Sequence, residues 1–338
     1  YKRQSLFPKL SILAEIITFG YATLGIQKQA QAETKLTMVY PFPDFLIYTK
    51  NCKALVKAIN EKGKGVVQID VLPFNSIKMF QQAPAVSKGR VDLNCIPAAF
   101  YARGIPELEA ISTSSSTVAQ ARQAGGIDMI DQLHQKHFGV KYLGWTSSGN
   151  KFRIYMKDPP KFGSDGLPNF DGVKMRDNPI YGAFLKALKA TTHNLPATQV
   201  YAALEKGVVD SAAWASYGLR GLKWDKFLRH AVVPDFYQTD IGWIINLKKW
   251  NSLSAKAKNI VQSTVIEYEG FNRGILQKLH KEEIAALKKG GMKFYNVPNP
   301  KKYLQIAVDS AYDRMMGRLK KAKRSTDHVA KLRAAFRQ

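Results

Sequence analysis

The stretch from Phe170 to Trp214 concentrates the residues best suited to gripping a small charged molecule. Val173, Lys174 and Met175 read as a short buried strand with Arg176 at its carboxyl end, and Asp177, Asn178 and Pro179 follow. Proline donates no backbone N–H, so strand pairing stops there. Ligands of open α/β sheets sit beyond the carboxyl ends of strands, which puts Arg176 where a ligand would arrive. Its planar guanidinium can hold a carboxylate through two parallel hydrogen bonds, which a lysine cannot do. A second unit follows: Gln199 to Lys206 is predicted helical, Gly207 stops it, and Val208, Val209 and Asp210 begin a strand that delivers Trp214. Bond-breaking chemistry has no comparable constellation. There is no Ser/His/Asp order, nucleophile elbow or pair of carboxylates near a predicted pocket, and the six histidines are dispersed. No catalytic residue, metal or cofactor is expected, and the chain does not read as an enzyme.

The elements around this stretch alternate. Lys35 to Tyr40 reads as a strand, and the next helix carries Phe45, Leu46, Tyr48, Leu55, Val56 and Ile59 on its apolar side. Val66 to Leu72 alternates as a strand, a helix closes at Gly89, and Val91 to Leu93 is a further strand. This βαβαβ order argues for a sheet covered by helices. One helix is predicted over Val118 to Lys136, strands at Lys141 to Leu143, Lys151 to Lys157 and Gly242 to Leu247, and crossovers at Gly144 to Thr146 and Val232 to Asp240. Ser254 caps a long helix running to Lys289, and a last helical region starts at Tyr303, with the final dozen residues basic and frayed.

Composition sets the class. The chain has 338 residues, enough for two lobes, with 45% hydrophobic and 23% charged residues. Lys2, Arg3 and Lys9, the mostly apolar run Leu10 to Ile26, and Ala30-Gln31-Ala32 form an export-signal pattern with cleavage expected after Ala32. No later stretch is a membrane span, so the mature chain is expected to be soluble. The formal charge is +25; four basic residues and one acid in the signal account for +3 and leave +22. The basic residues are scattered over helix faces, dense only from Arg318 to Lys331, and no nucleic-acid module accompanies them. A solvated basic surface is the expectation, and nucleic acid is not an expected partner. Cys52 and Cys95 are the only cysteines, and in an exported protein they either pair or remain as buried thiols.

Gly172, Val173, Lys174 and Arg176, followed by Val200, Tyr201, Ala203, Leu204, Gly207, Val209 and Asp210, resemble the paired motifs G-L-K-x-R and x-V-Y-x-A-L-x-x-G-x-V-D. These are motifs of the solute-binding proteins of tripartite ATP-independent periplasmic (TRAP) transporters, of the dicarboxylate-receptor type. The stretches GRVDLNCIPAAFYARGIPEL and TDIGWIINLKKWNSLSAKAKNIV are similar to the same family, and the likeness covers nearly the whole chain after about residue 34. The resemblance implies an α/β, two-lobed periplasmic binding protein fold, with hinge strands near residues 147 and 239 and the long helix spanning both lobes. The expected division is signal 1–32, lobe I from 33–148 and 240–279, and lobe II from 149–239 and 280–338. The implied function is extracytoplasmic capture of an organic acid in the interlobe cleft. A monomer would deliver it to small and large membrane permease subunits. The rival classes are a receptor of another transporter or sensor, and an enzyme.

The resemblance also nominates ligand residues. Arg176 would hold the carboxylate. Lys151 stands where relatives have an arginine or glutamine facing the ligand, and Arg153 lies on the same strand face; either could serve. Some relatives have a metal-binding glutamate before the tryptophan at 214, whereas this chain has Ala213, so no metal is expected. Trp214 and Tyr217 would form an apolar wall. Phe42, Tyr101, Tyr237, Gln238, Asp240 and Trp243 complete the candidates, and so aromatic a set suits a monocarboxylate with an apolar body.

Overall fold

The computed structural model describes residues 32–337. The expected export signal, apart from Ala32, lies outside them. In chain order the first elements are β1 (Thr34–Val39), α1 (Ile47–Lys62), β2 (Val67–Val71), α2 (Gln82–Ser87), β3 (Leu93–Pro97) and α3 (Glu109–Ser112). Next come α4 (Val118–Gln123), α5 (Gly126–Phe138), β4 (Val140–Trp145) and β5 (Lys151–Met156). A small hairpin, β6 (Lys161–Phe162) with β7 (Pro168–Asn169), precedes β8 (Lys174–Asp177), α6 (Gly182–Ala187), β9 (Thr191–Asn194), α7 (Ala197–Glu205) and β10 (Ser211–Ala215). The remainder is β11 (His230–Gln238), β12 (Ile241–Asn246), α8 (Leu247–Ser252), α9 (Ala255–Lys289), β13 (Lys293–Asn296), α10 (Pro300–Lys321) and α11 (Val329–Phe336).

Two main sheets result. The first has strand order β2-β1-β3-β12-β4 and the second β13-β11-β5-β10-β8-β9. The βαβαβ start lies flat in the first sheet, with β1 parallel to both β2 and β3. The chain passes from the first sheet to the second through residues 146–150 and returns through Thr239 and Asp240. The two passages are stitched together. Ser147 Oγ donates to the Thr239 carbonyl (2.8 Å), Thr239 Oγ1 donates to the Ser147 carbonyl (3.0 Å), and the Thr239 N–H donates to the Asn150 carbonyl (2.8 Å). The return passage is shorter than the sequence suggests, because residues 230–238 pair with β5 and β13 as β11 instead of crossing over.

The long helix α9 has the expected bounds. Ser254 caps it by accepting the Ala257 N–H (3.2 Å). Its first half packs on α1 and β4. Farther along, His280 reaches Ser216 and Glu283 reaches Arg220, both beside the second sheet. The helix predicted over 118–136 is two helices, α4 and α5, because Gly125 turns left-handed (φ 76°) between them. A side chain at Gly126 would also stand 2.8 Å from the Phe336 ring. The carboxyl-terminal region is not frayed. Leu332 and Phe336 of α11 are fully buried against residues such as Ile127 and Ile130, so α11 packs with the first sheet's helices although 280–338 was expected in the second lobe. Part of the dense basic run has internal partners: Arg318, with Arg314 just before the run, holds Glu109, and Arg324 and His328 hold Glu107, whereas Lys320, Lys321, Lys323 and Lys331 are exposed. Cys52 on α1 and Cys95 on β3 form a disulfide, with Cα atoms 6.2 Å apart. No described helix is long and apolar enough to cross a membrane.

Candidate ligand-binding site

A small cavity of about 30 Å3 lies between the two sheets where the passages meet. Phe42, Tyr48, Phe80 and Phe100 line it from the first sheet's side, Phe152, Arg176, Leu195 and Trp214 from the second, and Thr239, Asp240 and Ile241 from the return passage. Its aromatic wall is continuous: ring centroids are 5.6 Å apart for Phe42 and Tyr48, 5.8 Å for Phe42 and Phe100, and 6.0 Å for Tyr48 and Trp214.

Arg176 is placed by the register of β8, where it stands opposite Ala212 of β10 and His193 of β9. It is 3% exposed. Nε donates to the Leu195 carbonyl (2.9 Å), and Nη1 donates to the Tyr181 hydroxyl (2.6 Å) and the Ala213 carbonyl (3.2 Å). Tyr181 in turn donates to the same carbonyl. The Trp214 and Trp224 rings lie 5.6 Å and 5.8 Å from the guanidinium carbon. All three acceptors are neutral, and Nη2 has no acceptor among the described residues. No carboxylate oxygen among them comes within 4.0 Å of the guanidinium. A buried cation normally requires a paired anion, because removal from water costs several kcal/mol. Here the neutral groups orient the fork, and no carboxylate among the described residues is bonded to it at an apolar cavity.

Among the described residues, Asp240 is the only other charged residue lining that cavity. Its Oδ2 accepts the Ala99 N–H (2.9 Å) and the Ser112 hydroxyl (3.0 Å), while Oδ1 is buried without a partner. Burial pushes its carboxyl up to about 7, against the lowering effect of those two hydrogen bonds.

Of the residues singled out from sequence, Arg176, Trp214, Phe42 and Asp240 meet at this cavity. The others lie elsewhere. Lys151 is exposed and lines a separate hollow with Ser216, Asp235 and His280. Arg153, 4% exposed, is spent on Asp235 through Nε (2.5 Å) and Nη2 (3.0 Å). Tyr217 packs 6.0 Å from Tyr48 behind the cavity wall, and Tyr101 is tied to His134 (3.1 Å) inside the first lobe. Tyr237 donates to the Ala307 carbonyl (2.5 Å). Gln238 accepts the Gly149 N–H (2.7 Å) and donates to the Ser114 carbonyl (2.8 Å), a linking role between passage and loop. Trp243 is fully buried in the middle of the first sheet.

The comparisons with known proteins bear on what such a cavity belongs to. The family model for the bacterial extracellular solute-binding proteins, family 7 (DctP), matches residues 43–318. The chain belongs to this family. It is a TRAP-type extracytoplasmic solute receptor, and its family and structural neighbours are receptors and not enzymes. Among curated relatives it is similar to the monocarboxylate 2-oxoacid-binding periplasmic protein of Nostoc sp., at 24% identity over 274 residues, which is 77% of this chain and 72% of that protein. Among solved structures it resembles a Bordetella pertussis extracytoplasmic solute receptor binding pyroglutamic acid (TM-score 0.74, 17% identity, 90% of this chain and 99% of that one). It also resembles a Desulfovibrio desulfuricans TRAP solute-binding protein with bound sn-glycerol-3-phosphate (TM-score 0.72, 18% identity, 89% and 96% covered). The two-lobed fold expected from the motifs is the fold of these receptors.

Sequence reasoning missed several wall residues of this family 7 receptor. Tyr48 read as an ordinary apolar-face residue of α1, and Phe80, Phe100 and Phe152 carried no motif. Tyr181, the residue that braces Arg176, lies five residues downstream on the far side of Pro179; a tyrosine just past the strand-ending proline was the available signal. Ala213 contributes its carbonyl to Arg176 where some relatives would present a glutamate side chain.

Proposed function

We propose that this receptor captures an organic acid, with Arg176 binding the carboxylate and the aromatic wall enclosing the rest. The observation that carries the reading is the buried guanidinium with no counter-charge, held in orientation by neutral acceptors and opening on a void. A bound carboxylate supplies the missing anion and the acceptor for Nη2. The lining favours one negative charge and an apolar or aromatic body. A second anionic group, or a phosphate dianion, would meet Asp240, the one other charged residue of the wall among the described residues. The Nostoc relative's monocarboxylate 2-oxoacids fit such a lining.

The stitched passages at 146–150 and 239–240 would act as the hinge between lobe I and lobe II, closing on the acid before its delivery to the small and large permease subunits. The signal pattern at 1–32 supports a periplasmic site of action, where the receptor would work as a monomer. Titration calorimetry tests the reading with matched pairs of small carboxylic acids and their primary amides, aliphatic and aromatic. The acids should bind and the amides should not. Equal binding of an acid and its amide would remove the charge-pairing argument.

A further inference from the structure

Asp240 is the cavity's unexplained group. It is 1% exposed and lines the same void as Arg176, and only one of its two oxygens is used. Oδ2 is held by the Ala99 N–H and the Ser112 hydroxyl, and Oδ1 is buried without a partner among the described residues. A buried polar atom left unpaired costs roughly 1–3 kcal/mol, more when charged, and such atoms in native proteins call for an explanation. An ionised Asp240 would also repel the carboxylate that Arg176 draws in. Both penalties vanish if Oδ1 carries a proton and that proton meets an acceptor on the ligand.

We propose that the receptor takes up its acid anion together with one solvent proton, which resides on Oδ1 of Asp240 and is donated to an acceptor oxygen beside the ligand's carboxylate. The ligand class is then an acid with such an acceptor, as in 2-oxo acids. This rests on the reading of Arg176 as the carboxylate anchor.

The surroundings are consistent with a carboxyl that exchanges its proton near neutrality. Burial raises it to about 7 in the empty receptor, and the nearby Glu109 raises it further. Glu109 is itself paired with Arg314 and Arg318, so it is not free to act in its place. Arg314 is committed to Glu109 and to the carbonyls of Pro179 and Ile180. Tyr101 and Tyr142, which face Asp240 from the first lobe, are both pushed well up by burial and stay neutral. His134, beside Tyr101, is lowered to about 4 and is neutral as well.

The test is calorimetry on the full mature chain with pyruvate and propionate, and with phenylpyruvate and 3-phenylpropionate, in buffers of differing ionisation enthalpy. At about pH 8.5 the 2-oxo acid should bind with close to one proton taken up, and at about pH 5.5 with close to none. Affinity should fall about tenfold per pH unit above neutrality and be flat below it. Each 2-oxo acid should bind about tenfold tighter than its partner lacking the oxo group. Asp240→Asn keeps an oxygen for Ala99 and Ser112 and offers a permanent donor; it should abolish proton uptake and flatten the pH profile. Acids that bind without proton uptake overturn the proposal and leave the Arg176 reading standing, and so does uptake that persists in Asp240→Asn. If none of the four acids binds, the carboxylate reading falls for monocarboxylates and this proposal falls with it. The wild-type uptake measurement decides the matter even if the variant folds poorly.

Discussion

Replacing Arg176 by glutamine separates a ligand anchor from a structural arginine. In the empty receptor the substitution removes the donor to the Leu195 carbonyl, while Tyr181 still donates to the Ala213 carbonyl. With the bonds to the Tyr181 hydroxyl and the Ala213 carbonyl also gone, three donated hydrogen bonds are lost, roughly 1 kcal/mol each. Against it stands relief from burying an unpaired cation, an effect of several kcal/mol where it is uncompensated. The unliganded stability should therefore be unchanged or higher. With the acid bound, the balance reverses. Removing one partner of a buried, hydrogen-bonded charge pair costs about 2–5 kcal/mol, which is about 30-fold to more than 1,000-fold in affinity. Calorimetry gives the affinity and a thermal melt the stability. For the wild type, a ligand at about a hundred times its Kd adds about 2.7 kcal/mol. At roughly 2.1 cal/mol/K of unfolding entropy per residue, this is a Tm rise of about 4 °C. The variant should lose this rise while its own melt stays in place. An unliganded melt that drops by many degrees, or an affinity within threefold of wild type, would refute the reasoning.

Lys151→Ala should leave affinity within about threefold, because Lys151 lies in a separate hollow, whereas Arg153→Met should lower stability by about 3–5 kcal/mol by stranding Asp235; denaturant melts and calorimetry together separate the two. Reducing the Cys52–Cys95 bridge, which closes a loop of 43 residues, should lower stability by up to about 4 kcal/mol in the chain-entropy account, read as the difference between melts with and without reductant. For Asp240 the folded carboxyl lies near 7, above an unfolded value of about 4, so the native state holds the extra proton between those limits. Its contribution therefore falls as pH rises from about 4 to about 7 and is level beyond, and melts of the unliganded wild type minus Asp240→Asn should trace that descent.

The frame was legible because it follows from local rules: strand-ending prolines, glycines closing helices, and an apolar spacing that held from Ser254 to Lys289. Arg176 and Trp214 were legible because motif and position agree on adjacent strands, β8 and β10. Lys151 and Arg153 lie off this cavity for a reason of register. The face of β5 they share meets β11 and Asp235, not the cavity, and only the antiparallel pairing of β5 with β11 reveals that. The aromatic wall was illegible for a related reason. Phe80 and Phe100 lie on short turns whose meeting, at 5.0 Å between rings, depends on how α2 and β3 pack. The tail misled because a run of basic residues looks solvated until the buried Glu107 and Glu109 are brought under it.

Those two glutamates point to a rule this molecule follows almost everywhere. Glu107 is matched by Arg324, Glu109 by Arg314, Glu269 by Arg122, Glu283 by Arg220, and Arg153 by Asp235. A chain with a large surplus of basic residues has no shortage of partners for a buried acid, and evidently pairs them. Among the described residues, the buried charges without such a partner are Arg176, Asp240 and Asp177. The first two line the cavity, and Asp177 lines the groove that shares Phe80, Phe100, Asn178 and Asn194 with it. Every one of these buried charges bears a desolvation cost, so unpaired charge should be scattered if it were mere imperfection. Their confinement to one cleft is what the proposal answers: an anion on Arg176 and a proton on Asp240 would supply the missing partners at two residues that line the same cavity.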